Sequence, residues 1–198
     1  MARRSRTVPA RSGRRELLVF LEGAVTEEAY VNAWRRENRH VNVEIDPFHG
    51  PPMALVDRAI GAKARNEKDA RRGRGRAHDE VWCVFDVDEH PHLPDAIRRA
   101  RDHGIGVAVS NPCIELWFIL HFADQTAHIG RREAQRRAED HLGCRKVLSA
   151  AALDRLVAAY PDAKARARSL DEKHHGDGTP APGNPGSGVW RLVDSIAT

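Results

Sequence analysis

The 198-residue chain is poor in several things that would have decided its class early. It has only 3 cysteines, an odd number, and Cys83 lies inside an apolar run, so no disulfide framework is expected and a reducing, cytoplasmic setting is. Long hydrophobic runs are missing. The basic Met1 to Arg15 segment leads into about six apolar-leaning residues broken by Glu22, too short for a membrane span or the core of a signal peptide. Charge of one sign is not in large excess either: 32 Lys and Arg face 28 Asp and Glu, for a net of +4, so any polyanion-binding surface has to come from local clustering. Aromatic residues make up only 6%, and none is interleaved with the basic segment Lys63 to Arg76 to stack on bases.

What is present is an alternation of short apolar runs and amphipathic stretches. Leu17 to Leu21, Val41 to Ile45, Val81 to Phe85 and Ile105 to Val109 read as strands. Between them, helices are expected from Thr26 as N-cap through Trp34, from Met53 onward, and over Asp95 to His103. Asn111 and Pro112 are placed as cap and first residue of a nearly all-apolar helix to Phe122. This pattern predicts an α/β fold with a mainly parallel central sheet of about four strands flanked by helices. Three further helices, Arg131 to Leu142, Ala150 to Ala159 and Ala163 to Lys173, precede a Gly/Pro-rich stretch over 176–188, read as a long mobile loop, and a last short helix. The organisation expected is a flexible basic tail (1–15), an α/β core (16–125) and a helical C-terminal extension (126–198).

Carboxylates fall at two strand ends. Glu22 follows the first strand, and Asp86 and Asp88 close the third, where residues two apart point to the same side while the chain stays extended. In an open parallel sheet such ends share one edge, so the three acids are candidates to converge. An all-oxygen group suits Mg2+ or Mn2+, and a cation there would stabilise charge on a phosphodiester. Glu22 is the natural proton-transfer group. The plainer reading is that acids mark a strand's exit to solvent.

Other polar residues carry similar alternatives. Glu27 is a helix N-terminal acid or a site acid; Asn111 is a cap or a cleft residue; Glu115 is an acid in an apolar helix and needs a partner. His121, on an apolar face, is a satisfied core histidine or a support for the acids. Arg65, Lys68, Arg71, Arg72, Arg74 and Arg76 form a basic flexible loop able to follow a phosphate backbone, or a solvated helix end. His90, His92, His174 and His175 could join Asp86 and Asp88 around zinc, but match no established zinc spacing. Cys113 could be a nucleophile near a helix start, or a buried thiol. Gly73-Arg74-Gly75 lacks the final glycine and the preceding strand of a dinucleotide-binding turn.

Several segments together resemble one family. They are Leu21-Glu22-Gly23 with Thr26-Glu27 and Tyr30, Phe85-Asp86-Val87-Asp88, Ser110 to Trp117 with His121-Phe122, and Asn184-Pro185 before the last helix. In order and spacing they resemble the RloB-like family over roughly Leu17 to Ile196. The resemblance implies a Toprim-like Rossmannoid core in which Glu22 is the general acid/base and Asp86 and Asp88 hold Mg2+. It also implies a conditional nuclease acting on DNA or RNA beside an ATPase partner in anti-phage, abortive-infection defence. A non-catalytic nucleic-acid-binding or regulatory subunit is the alternative. The sequence leaves oligomeric state open, a homodimer included.

Overall fold

The computed structural model describes residues 13–87, 90 and 92–198. The arginines of the tail up to residue 12, together with Asp88 and Glu89, therefore lie outside the described residues.

Five strands form one sheet in the order β2-β1-β3-β4-β5. β1 (Arg15–Leu21), β2 (Val41–Ile45), β3 (Glu80–Asp86) and β4 (Gly106–Asn111) are mutually parallel, and the two-residue β5 (Gly186–Ser187) runs antiparallel to β4. The central strands β1 and β3 read as unbroken apolar runs because helices cover both of their faces. Side chains divide by the period of two. Leu17, Val19 and Leu21 of β1 join one core with Val84 and Ala108, while Leu18 and Phe20 join another with Val81, Cys83 and Phe85. At roughly 1.5–3 kcal/mol for each large apolar side chain removed from water, these two layers supply the main driving force. The register pairs Trp82 with Gly106, whose hydrogen leaves room for the indole: a Cβ there would lie 2.5 Å from the ring.

The first core is covered by α1 (Thr26–Glu37), α4 (Ile114–Leu120), α5 (Arg131–Leu142), α6 (Ala150–Ala158), α7 (Tyr160–Gly176) and α8 (Val189–Ala197), and the second by α2 (Pro52–Arg71) and α3 (Leu93–Asp102). Among the described residues no helix is long and apolar enough to cross a membrane.

Several expectations need correction. The sheet has five strands because Gly186 and Ser187, in the stretch read as a mobile loop, pair with Asn111 and Ser110. That stretch is strapped down: the Asn111 amide donates to the Pro182 carbonyl at 2.8 Å, and Asn184 donates to the Asn111 side-chain oxygen at 3.1 Å. Asn111 accordingly ends β4 and does not cap a helix; Cys113 occupies the N-cap position of α4. Thr26 is likewise inside α1, with Val25 at the cap position, and its hydroxyl donates to the Lys146 carbonyl at 2.8 Å. The basic segment is no loop up to Arg71. Lys, Arg, Glu and Asp continue α2 through it, with Glu67 and Arg71 paired one turn apart. Arg15, assigned to the tail, begins β1 and pairs with Glu80.

Candidate functional site: a carboxylate cluster at the sheet's switch point

From β1 the chain crosses to β2 on one side, whereas β3 lies on the other. In a parallel sheet this divergence opens a crevice outside the carboxyl ends of the two central strands, the usual place for a site. Glu22 and Asp86 stand there. Leu21 is in register with Val84, so the Glu22 N–H donates to the Val84 carbonyl at 3.0 Å and its side chain reaches across to β3. One Glu22 carboxylate oxygen accepts the Asp86 backbone N–H at 3.0 Å, and the other lies 3.1 Å from His90 Nε2. Both oxygens of the acid/base candidate are thus oriented by β3 and the segment after it.

Asp86 is only 8% exposed. Burial first, then the negative charges of Glu27, Glu115 and Glu22, push its carboxyl up from 3.8 to about 8, against the pull of Arg131. Glu27 is also raised, by burial first and then by Glu115 and Glu22, while the N–H groups of Glu27 itself and of Gly23 act to lower it. Gly23 is what lets the Glu27 side chain fold back over the turn: a Cβ on residue 23 would stand 2.1 Å from a Glu27 carboxylate oxygen. Glu27, Asp86 and Glu115 line a cavity of about 190 Å3 with Arg131, Gln135 and Lys146. The expected acid group therefore includes Glu27 and Glu115 as wall residues, and Glu115 is half-buried rather than enclosed.

The remaining candidates lie elsewhere. His121 is a satisfied core histidine: its Nδ1 is 2.8 Å from the Trp117 carbonyl, its Nε2 is 3.5 Å from the Tyr30 hydroxyl, and burial lowers its pKa to about 4. Asn111 fastens the 182–184 strap. Arg65, Lys68, Arg71, Arg72, Arg74 and Arg76 lie at and beyond the far end of α2, whose first turn is at the carboxyl edge. Arg76 donates to the Arg14 carbonyl at 2.7 Å, next to the start of β1, so this basic segment ends at the opposite edge of the sheet from the acids. The histidines do not gather for zinc. His90 is bound to Glu22, the His92 imidazole is 3.8 Å from Asp95, and His174 Nε2 is 2.8 Å from the Pro185 carbonyl. Cys113 is fully buried, and burial followed by the Glu115 charge pushes its thiol up, which suits a structural thiol.

Sequence reading missed Arg131, Gln135 and Lys146. They reach the acids from α5 and from the turn after it, and the adjacent basic pair Arg131-Arg132 opening a helix was the only local signal.

Among the described residues no three His, Cys, Asp or Glu side chains are grouped to hold one ion. The chemistry of the donors nonetheless fits a hard divalent cation. Glu27, Asp86 and Glu115 contribute carboxylates to the cavity beside Arg131 and Lys146, and the repulsion and burial felt by Asp86 are conditions that a cation relieves. Asp86 and Glu22 are the described residues best placed to contribute, with Glu27 and Glu115 at the cavity wall.

No curated protein matches the chain. The family model for RloB-like protein matches residues 17–196, nearly the whole length, from within β1 to within α8. The chain belongs to the RloB-like family.

Proposed function

We propose that this protein is a Mg2+- or Mn2+-dependent nuclease with a Toprim-like core, cutting phosphodiester bonds of DNA or RNA. In this reading Glu22 and Asp86, with Asp88, form the metal and catalytic centre. The observation that carries the reading is the meeting of Glu22, Glu27, Asp86 and Glu115 at the sheet's switch point, where burial and the neighbouring carboxylates push Asp86 up to about 8. A divalent ion there would supply positive charge against the phosphodiester. Glu22 holds or passes a proton; its two oxygens are set by the Asp86 N–H and by His90, which keeps the carboxylate aimed across the crevice. Arg131 offsets part of the excess negative charge at the wall. As the RloB-like membership suggests, the protein is the effector of an anti-phage, abortive-infection system and works beside an ATPase partner.

A second reading is a non-catalytic nucleic-acid-binding or regulatory subunit, favoured by Arg131 and Lys146 lining the acid cavity. Cleavage profiling separates the two. Purified protein, alone and with the proposed ATPase partner, is incubated with single- and double-stranded DNA and RNA under Mg2+, Mn2+, Zn2+ or chelator. Cleavage under Mg2+ or Mn2+ that disappears in Glu22→Gln, Asp86→Asn and Asp88→Asn supports the nuclease. Salt-sensitive binding without cleavage under any metal supports the second reading.

A further inference from the structure

Beside the acid cavity lies a second one, a groove of about 350 Å3, and Thr26, Glu115, Gln135 and Lys146 line both, so the two adjoin. Its floor is apolar, formed in part by Phe118, Leu142 and Leu148, and its rim is basic, with Arg132, Arg145 and Lys146. The basic groups differ in their engagement. Arg145 is paired with Glu139 at 2.9 Å, whereas among the described residues no carboxylate lies within ion-pair distance of Arg132 or Lys146.

The groove's chemistry selects the occupant. A basic rim over an apolar floor fits a molecule with a flat apolar body and an anionic link, and the groove opens directly onto the carboxylates. Its volume of about 350 Å3 is at the lower end of the roughly 300–1,000 Å3 typical of small-ligand sites, the size of one nucleoside rather than of stacked base pairs. We propose that this groove holds one unstacked nucleoside of the substrate strand beside the bond to be cut, so that the substrate is single-stranded or locally unpaired nucleic acid. The inference rests on the nuclease reading for its position next to the scissile bond. In it Arg132 and Lys146 hold the phosphates on either side of the base, Phe118, Leu142 and Leu148 receive the ring, and a paired base is rejected because it cannot leave its stack without cost. The exposed arginines of the α2 end, at the other edge of the sheet, take no part.

The test uses the full chain in chelator, where binding is read without cleavage. Fluorescence anisotropy measures affinity for a labelled oligothymidylate, an oligouridylate, and the duplex of the oligothymidylate with its complement. Single strands bind at least about tenfold more tightly than the duplex. Arg132→Ala and Lys146→Ala, both at exposed positions, each weaken single-strand binding severalfold and lower the salt slope by about 0.7. Cys144→Trp, which fills the cavity from its edge, removes the single-strand preference, with thermal melting as the check that it folds. Equal or tighter binding of duplex, or unchanged binding by both charge variants, overturns the proposal. The same variants are then assayed for cleavage in Mg2+. Cleavage that persists with the charge variants unaffected rejects the groove and leaves the nuclease standing. Single-strand binding that follows the variants without any cleavage rejects the nuclease and leaves the groove as a nucleic-acid site.

Discussion

Replacing Asp86 by asparagine stabilises the fold, and by more as the pH rises from about 4 to about 8. Asn keeps the shape of the side chain and removes the charge that burial and three neighbouring carboxylates oppose. In the wild type the folded state retains a proton on Asp86 that the unfolded chain has already released, so stability falls with pH between the two values, 3.8 unfolded and about 8 folded, and levels off above. Each pKa unit is worth about 1.36 kcal/mol; over that interval the penalty lifted by the substitution is on the order of 5 kcal/mol at alkaline pH and close to nothing near pH 4. Urea unfolding followed by circular dichroism in chelator, for both proteins at about pH 5, 7 and 9, gives the difference directly. Curves that diverge with pH bear the reasoning out. Curves that run parallel, or an Asn variant less stable at every pH, refute it, because they would mean that Asp86 is ionised and satisfied in the resting fold.

Two further outcomes follow from the same geometry. Gly23→Ala places a Cβ 2.1 Å from a Glu27 carboxylate oxygen, so it displaces that carboxylate from the cavity wall; cleavage falls to the level of Glu27→Ala, at least about tenfold, while the melting temperature moves much less than the activity. Converting Arg65, Lys68, Arg71 and Arg72 together to glutamine leaves cleavage rates within about twofold, since rim charges far from the chemistry act only through weak long-range fields; a loss beyond tenfold would place the substrate path along α2.

Much of this arrangement was legible in the sequence. The strands announce themselves as apolar runs, and the ends of two of them carry Glu22 and Asp86, so once the strands are parallel and adjacent the acids must share an edge. The helix from Arg131 to Leu142 is where its periodicity puts it. What escaped reading depends on contacts between distant parts of the chain. The direction of the Glu27 carboxylate is fixed by the tight turn over Gly23, and Thr26 loses its capping role to a bond with the Lys146 carbonyl 120 positions away. β5 is two residues long and has no pattern of its own; only its pairing with β4 reveals it. Of the two readings of the basic segment, the solvated helix end holds through Arg71, in keeping with the helix propensity of Lys, Arg and Glu. The groove beside the acids, drawn from α1, α4, α5 and the turn before α6, has no local signature at all.

The claim at the centre of this account is that the carboxylates at the switch point hold a divalent cation. Isothermal titration of the full chain with Mn2+ near pH 7, in two buffers of different ionisation enthalpy, tests it most directly, because it counts both ions bound and protons released. The account predicts saturable binding that releases a proton, from an Asp86 still protonated at that pH, and loss of both binding and release in Asp86→Asn. No binding in the wild type, or binding unchanged in Asp86→Asn, would contradict it.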